Sequence, residues 1–145
     1  MIRNVKRQLD KIFMPSIIYK KLKKTFSAEK LKIFFNESLP GKTLSQCQNI
    51  INHSSVIIGA FDKSRLIGIG RSLDDTVYAF ITDILVNPEY RGKGIGSEIV
   101  KTLCDQLVKR NVKVIHCSTE KKLIIHNSAF QPKADQPLTD IIKTL

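Results

Sequence analysis

Apolar positions along the chain follow two rhythms, and the change comes at Val56. Ahead of it the spacing is helical. Ser27 opens a predicted helix through "AEKLKIFFNES", and Pro40–Gly41 ends it. Thr43 or Ser45 opens a second, shorter helix through Ile51, with Leu44, Cys47, Ile50 and Ile51 on one side. From Val56 the runs become continuous and β-like. Val56–Phe61 is bounded by the turn "DKSR", Leu66–Arg71 by "DD", and Val77–Val86 by Pro88. These three predict an antiparallel meander. Helical spacing then returns over Ile95–Arg110, with Ile95, Ile99, Val100, Leu103, Leu107 and Val108 on one face. Val112–Cys117 follows as a short buried strand. Strand, glycine loop, helix, strand is a right-handed crossover joining a parallel pair. The expected fold class is therefore α/β, in the mixed α+β sense: a central sheet of antiparallel meander plus parallel crossover, flanked by helices.

Length adds one constraint. A chain of 145 residues makes one domain, with enough buried surface for one core. No apolar run approaches the ~18 residues of a membrane span. Three cysteines, Cys47, Cys104 and Cys117, form no close pair and no signal-peptide pattern precedes them, which predicts free thiols in a reducing compartment. No metal is expected: His116–Cys117 is the only adjacent His/Cys couple, and neighbours in a strand point to opposite faces.

Charge changes the picture more. The formal net charge is +11, a balance that attracts polyanions. The excess is dense before Phe26, where Asp10 is the sole acidic residue and "KKLKK" reads as a solvated charge cluster. On that basis residues 1–26 are set apart as a basic segment and residues 27–145 as the domain. Lysine outnumbers arginine, and isoleucine and asparagine are common, the bias of an A/T-rich genome.

The candidate chemistry sits in "NPEYRGKGIGSEIV". A helix start leaves about four N–H groups without intrahelical partners and carries roughly half a positive charge. Gly92, Gly94 and Gly96 clear side chains from that backbone, and Arg91 and Lys93 add charge. The arrangement predicts a phosphate cradle. It is not a dinucleotide fingerprint, since position 97 is Ser97 where glycine is needed, nor is "GKT" at 41–43 a Walker loop, since position 36 is Asn36.

"FITDILVNPEYRGKGIGSEIVKTL" resembles the acetyl-CoA signature of the GCN5-related N-acetyltransferase family: Arg or Gln, two residues, Gly, one residue, then Gly or Ala, matched by Arg91, Gly94 and Gly96. "VIIGAFDKSRLIGIGRSLDDTVYAFITDILV" resembles the family's strands two to four. The resemblance spans roughly residues 30–130, and is closest to small single-domain members, including those encoded in plastid genomes. It implies acetyl-CoA as co-substrate. Main chain at Ile84, Leu85 and Val86 would pair with pantetheine and the acetyl carbonyl. N–H groups of Arg91, Gly92, Lys93, Gly94, Ile95, Gly96 and Ser97 would hold the pyrophosphate. The family often carries "FYEKLGF" after its fifth strand, whose Tyr protonates the departing thiolate. Here "IIHNSAF" puts Ile125 at that Tyr and Ala129 at the Gly, while Phe130 is retained. His126 is the substitute acid, with Cys117 nearby, and Asp83 the candidate general base.

The implied activity is acetyl transfer to a primary amine, on a small molecule or a protein, in the plastid stroma or otherwise the cytoplasm. Two alternatives stand beside it: an acetyl-CoA or CoA-binding module without turnover, suggested by Ile125, and a basic nucleic-acid-binding protein. The last lacks aromatic interleaving, since the basic segment offers only Phe13, Tyr19 and Phe26.

Overall fold

The computed structural model describes residues 16–118 and the backbone of a final strand, Asp140–Thr144. In chain order the elements are β1 (Ile17–Lys21), α1 (Ala28–Ser38), α2 (Leu44–His53), β2 (Val56–Asp62), β3 (Arg65–Asp74), β4 (Tyr78–Val86), a 3-10 turn (Pro88–Tyr90), α3 (Ile95–Lys109), β5 (Val114–Ser118) and β6 (Asp140–Thr144). The expected α/β architecture is present. The six strands lie in sequence order, antiparallel throughout except for the parallel β4–β5 pair that α3 connects.

Both early helices begin where side-chain chemistry places them. The Ser27 hydroxyl accepts from the N–H of Lys30. Thr43 and Gln46 form a reciprocal capping box, which selects Thr43 over Ser45 as the start of α2. α1 and α2 bury Leu31, Phe34, Phe35, Ile50 and Ile51 against Ile57, Phe61 and Ile69 on one sheet face. On the opposite face α3 lays Ile99, Leu103 and Leu107 over Ile58, Ile67, Ile81 and Ile115. The period of two along β2 divides the layers: Ile57 and Phe61 belong to one core, Val56, Ile58 and Ala60 to the other. α3 turns slightly away from the predicted face. Cys104 is buried, whereas Val108 at the end of the helix is 50% exposed.

The charge boundary at residue 26 is not a fold boundary. β1 lies inside the basic segment and pairs with β2 from Ile17↔Asp62 to Lys21↔Ile58. Nor is "KKLKK" simply a solvated run. Leu22 is buried in the α1–α2 core. The Lys24 ammonium donates to the carbonyls of Ile51, Asn52 and Ser54, capping the C-terminal end of α2, where orphan carbonyls and the helix dipole both favour a cation. Lys24→Met keeps the aliphatic stem and removes that cap. It is expected to lower unfolding free energy by about 1–2 kcal/mol in urea titration, as for a charged group hydrogen-bonded at a helix end. An unchanged midpoint would show that water replaces the ammonium at no cost.

Candidate active site

The site is built from the far end of β4. Arg71 pairs with Thr82 and Ile69 with Leu85, so that the single β3 residue Gly70 faces two β4 residues, Asp83 and Ile84. This is a β-bulge. Asp83 takes a positive φ of 51°, a conformation that Asp tolerates better than most residues. On its other side β4 pairs with β5 only from Tyr78↔Val114 to Ile81↔Cys117. Among the described residues, Thr82 to Val86 have no β5 partner. Among the described residues, then, the β4 edge beyond the bulge is open, and apart from the Val86 carbonyl its main-chain donors and acceptors require a partner or water. Ile84, Leu85 and Val86 all lie on this stretch.

The chain then turns into α3 through a braced loop. Asn87 is buried; its N–H donates to the Ile67 carbonyl at 2.8 Å and its amide to Glu37 at 3.0 Å, while its side-chain oxygen accepts from the N–H of Glu89. The Tyr90 hydroxyl donates to Asp62 at 2.6 Å, and that bond raises the phenol's pKa. Arg91 sends its Nε to the Val86 carbonyl at 2.9 Å, closing the loop on the end of β4. The guanidinium predicted to supply charge thus also fixes geometry.

Gly92 and Gly94 both have positive φ, 76° and 80°. Gly94 is the N-cap of α3, and no side chain caps the helix there. A Cβ added at either glycine would meet no atom within 4 Å. The glycines are thus not spacers for protein packing. They leave backbone open at a positive helix end, with Lys93 nearby over the Tyr90 ring. Ile95 anchors the helix start in the α3 core, and Gly96 and Ser97 follow in its first turn.

Asp83 sits at the bulge, beside the open edge, with its carboxylate engaged. Arg71 Nε donates to it at 2.6 Å, and the same guanidinium reaches the Ser54 hydroxyl at the end of α2 at 3.3 Å. This link from α2 through Arg71 to the bulge went unread in the sequence, as did the parts of Asn87 and Tyr90. For Asn87 a signal existed: "NPEY" carries an Asx-type turn start.

Ile125, His126, Ala129 and Phe130 lie outside the described residues. Burial pushes the Cys117 thiol up to about 11, so it stays protonated near neutrality. His116 stacks on Phe80 at 4.9 Å, with the rings 15° apart. Among the described residues no group of three or more His, Cys, Asp or Glu side chains is arranged to hold a metal, and no helix is long and apolar enough to cross a membrane.

Comparison with known proteins accords with this geometry. The sequence profile of the Acetyltransferase (GNAT) family matches residues 18–124. An uncharacterized N-acetyltransferase, ycf52, of Porphyra purpurea is 28% identical over 88 residues, covering 57% of this chain and 51% of the relative. The chloroplastic GCN5-related N-acetyltransferase 2 of Arabidopsis thaliana is 33% identical over 63 residues, covering 43% of this chain and 24% of the relative. The match thus spans about half of the first relative's length and about a quarter of the second's. Among solved structures, the PaiA N-acetyltransferase of Thermoplasma acidophilum, in complex with coenzyme A, superposes with a TM-score of 0.62 at 19% identity, over 90% of this chain and 99% of that one. With a matched profile over most of its length and the family's fold around an open strand end and a glycine helix start, this chain belongs to the GNAT acetyltransferase family.

Proposed function

We propose that the chain takes the acetyl group of acetyl-CoA and delivers it to a primary amine, on a small molecule or a protein. The observation that carries this reading is the continuity of two backbone surfaces: the β4 edge from Thr82 to Leu85, which has no β5 partner among the described residues, and the start of α3, which no side chain caps. One suits an extended amide-bearing arm and the other a pyrophosphate, and coenzyme A has both. The residues fit the group: among the described residues, apart from chain neighbours, nothing lies within 4 Å of a Cβ placed on Gly92 or Gly94. Ile84, Leu85 and Val86 would hold the arm through their main chain, and the backbone from Arg91 to Ser97 would hold the phosphates.

Bound acetyl-CoA supplies a carbonyl open to attack by the amine and a thiolate leaving group whose conjugate acid has a pKa of about 8.5, that of an ordinary thiol. The protein's part is position. The bulge aims the main chain of Ile84, and Arg71 clamps Asp83 so that the bulge keeps its shape. Asp83 therefore acts as a positioning residue, because the Arg71 guanidinium holds its carboxylate at 2.6 Å in a charge-assisted hydrogen bond. The amine sheds its proton to solvent, and turnover rises with pH through the amine's own titration. Ile125 supplies no proton, so the thiolate takes one from water or His126. Losing such an acid costs about 10²–10⁴-fold and leaves slow turnover. We place the protein in the plastid, as the Arabidopsis relative's name states for that protein.

Asp83→Asn and Arg71→Met test the positioning role. Each is expected to weaken acetyl-CoA binding several-fold, and the double variant to be no worse than the poorer single, since both break one link. Additive losses would mean separate roles, and a loss of kcat with Asp83→Asn at unchanged affinity would restore the carboxylate as base. The activity itself is tested by thiol release from acetyl-CoA across a panel of amines and peptides. Tight acetyl-CoA binding with no thiol release on any acceptor would leave a binding module, the reading that Ile125 favours.

A further inference from the structure

A second surface is lined by residues other than those of the β4 edge and the α3 start, and it adjoins the loop between them through Glu37, which accepts from Asn87, and Arg65, which pairs with Glu89. It is a groove of about 680 Å³ between α1, the end of β1 and the β2–β3 turn, within the range of about 300–1,000 Å³ typical of sites that enclose a compact ligand. Six cations line it: Lys20, Lys21 and Lys23 from β1 and the chain after it, Lys30 from α1, and Lys63 and Arg65 from the turn. Its one acidic lining residue, Glu37, pairs at 3.2 Å with Arg65, which also pairs with Glu89 at 3.3 Å. Among the described residues none of the five lysines makes an ion pair. The floor is apolar, with Phe26, Phe61 and Leu66, and Ile33 stands on the rim at 58% exposure.

Three chemistries meet a basic surface, and the details separate them. Single-stranded nucleic acid needs flat ring faces for bases to stack on. Here Phe26 meets Phe61 edge-on, centroids 6.3 Å apart and planes at 71°, and the Lys20 ammonium covers Phe61 at 4.5 Å. An anionic membrane needs apolar groups that protrude into it. Here Phe61 and Leu66 are buried, and a single apolar side chain on the rim, Ile33, is exposed. An acidic polypeptide places carboxylates along its length and can drop an apolar side chain between them. That pattern matches a cationic rim around an apolar floor.

We propose that this groove is a docking site for an acidic polypeptide segment anchored by an apolar side chain, separate from the acetyl site and independent of acetyl-CoA. The rim then fixes which proteins dock, through carboxylates facing Lys23, Lys30 and Lys63. The anchor seats beside Ile33 and fixes register.

The test is fluorescence anisotropy on the full chain. The probe is a labelled synthetic peptide in which Glu and Asp flank Leu and Phe. Comparators are a Glu–Gly peptide, a single-stranded oligonucleotide of equal charge, and phosphatidylserine vesicles. The anchored peptide is expected to bind more tightly than all three. The Lys23→Glu, Lys30→Glu, Lys63→Glu triple variant should weaken it by at least about tenfold, since reversed charges repel as well as cease to attract. Ile33→Ser, which removes the apolar contact without adding charge, should weaken the anchored peptide several-fold and leave the oligonucleotide unaffected. These residues are on the surface, so thermal melting should show both variants folded. The proposal is overturned if the oligonucleotide or the vesicles bind as tightly as the peptide. It is equally overturned if the folded triple variant binds the peptide as well as the unaltered chain does.

Discussion

Gly94→Val is expected to reduce acetyl-CoA affinity by at least about 100-fold while leaving a folded protein, because preorganised backbone donors lose their access to the anion. Two separable effects lie behind this. First, Gly94 has φ of 80° and ψ of 7°, and a β-branched residue there costs about 1–2 kcal/mol of backbone strain. Second, its side chain would project into space where, among the described residues and apart from its chain neighbours, no atom lies within 4 Å of the added Cβ. The fold thus suffers only the strain, while the phosphate loses its seat. Gly41 supplies the control. It too has positive φ, 118°, and open space around it, but lies in the α1–α2 connection. Gly41→Val should match the loss of stability with acetyl-CoA affinity nearly unchanged. Equal losses of affinity in both variants, read by calorimetric titration, would show strain rather than blockade to be the cause.

The second large effect falls on stability. A Cβ at Gly70 would stand 2.5 Å from Ile99 Cγ2 and 3.0 Å from Leu103 Cδ1, both on the buried face of α3. Even Gly70→Ala must therefore push α3 off the sheet or distort β3 beside the bulge. Overpacking of this kind typically costs about 1–3 kcal/mol, and Gly70→Val belongs at or beyond the upper end. For a domain of this size about 3 kcal/mol lowers the melting temperature by about 6–12 °C. Ile99→Ala removes the methyl that the new Cβ meets, so Gly70→Ala with Ile99→Ala should be less destabilised than the sum of the single variants. Strict additivity in thermal melts would mean that the contact is relieved elsewhere.

The parts of the molecule that local chemistry decides were legible beforehand. Ser27 and Thr43 announce helix starts, apolar runs between turn residues give β2, β3 and β4, and the glycine loop between a strand and an amphipathic helix implies the crossover. What depended on distant partners was not. β1 is short and ends in lysines, so charge dominated its reading, and only pairing with β2 makes it a strand. Lys24 looked solvated because the carbonyls it caps lie 27 to 30 residues away. The bulge at Asp83 and Ile84 arises from a mismatch in count between two paired strands, which neither strand carries alone. For the same reason Asp83 reads in sequence as a lone carboxylate. Its ion pair with Arg71 spans twelve positions and becomes visible only when β3 and β4 are aligned.

Hydrogen–deuterium exchange with and without acetyl-CoA tests the central claim most directly, because the proposed contacts are main-chain amides. Acetyl-CoA is expected to slow exchange in peptides covering 82–86 and 92–97, with little change in α2 or along the basic groove at 20–30 and 63–66. Saturating acetyl-CoA that leaves 82–97 exchanging as before, or that protects the groove instead, would contradict the account.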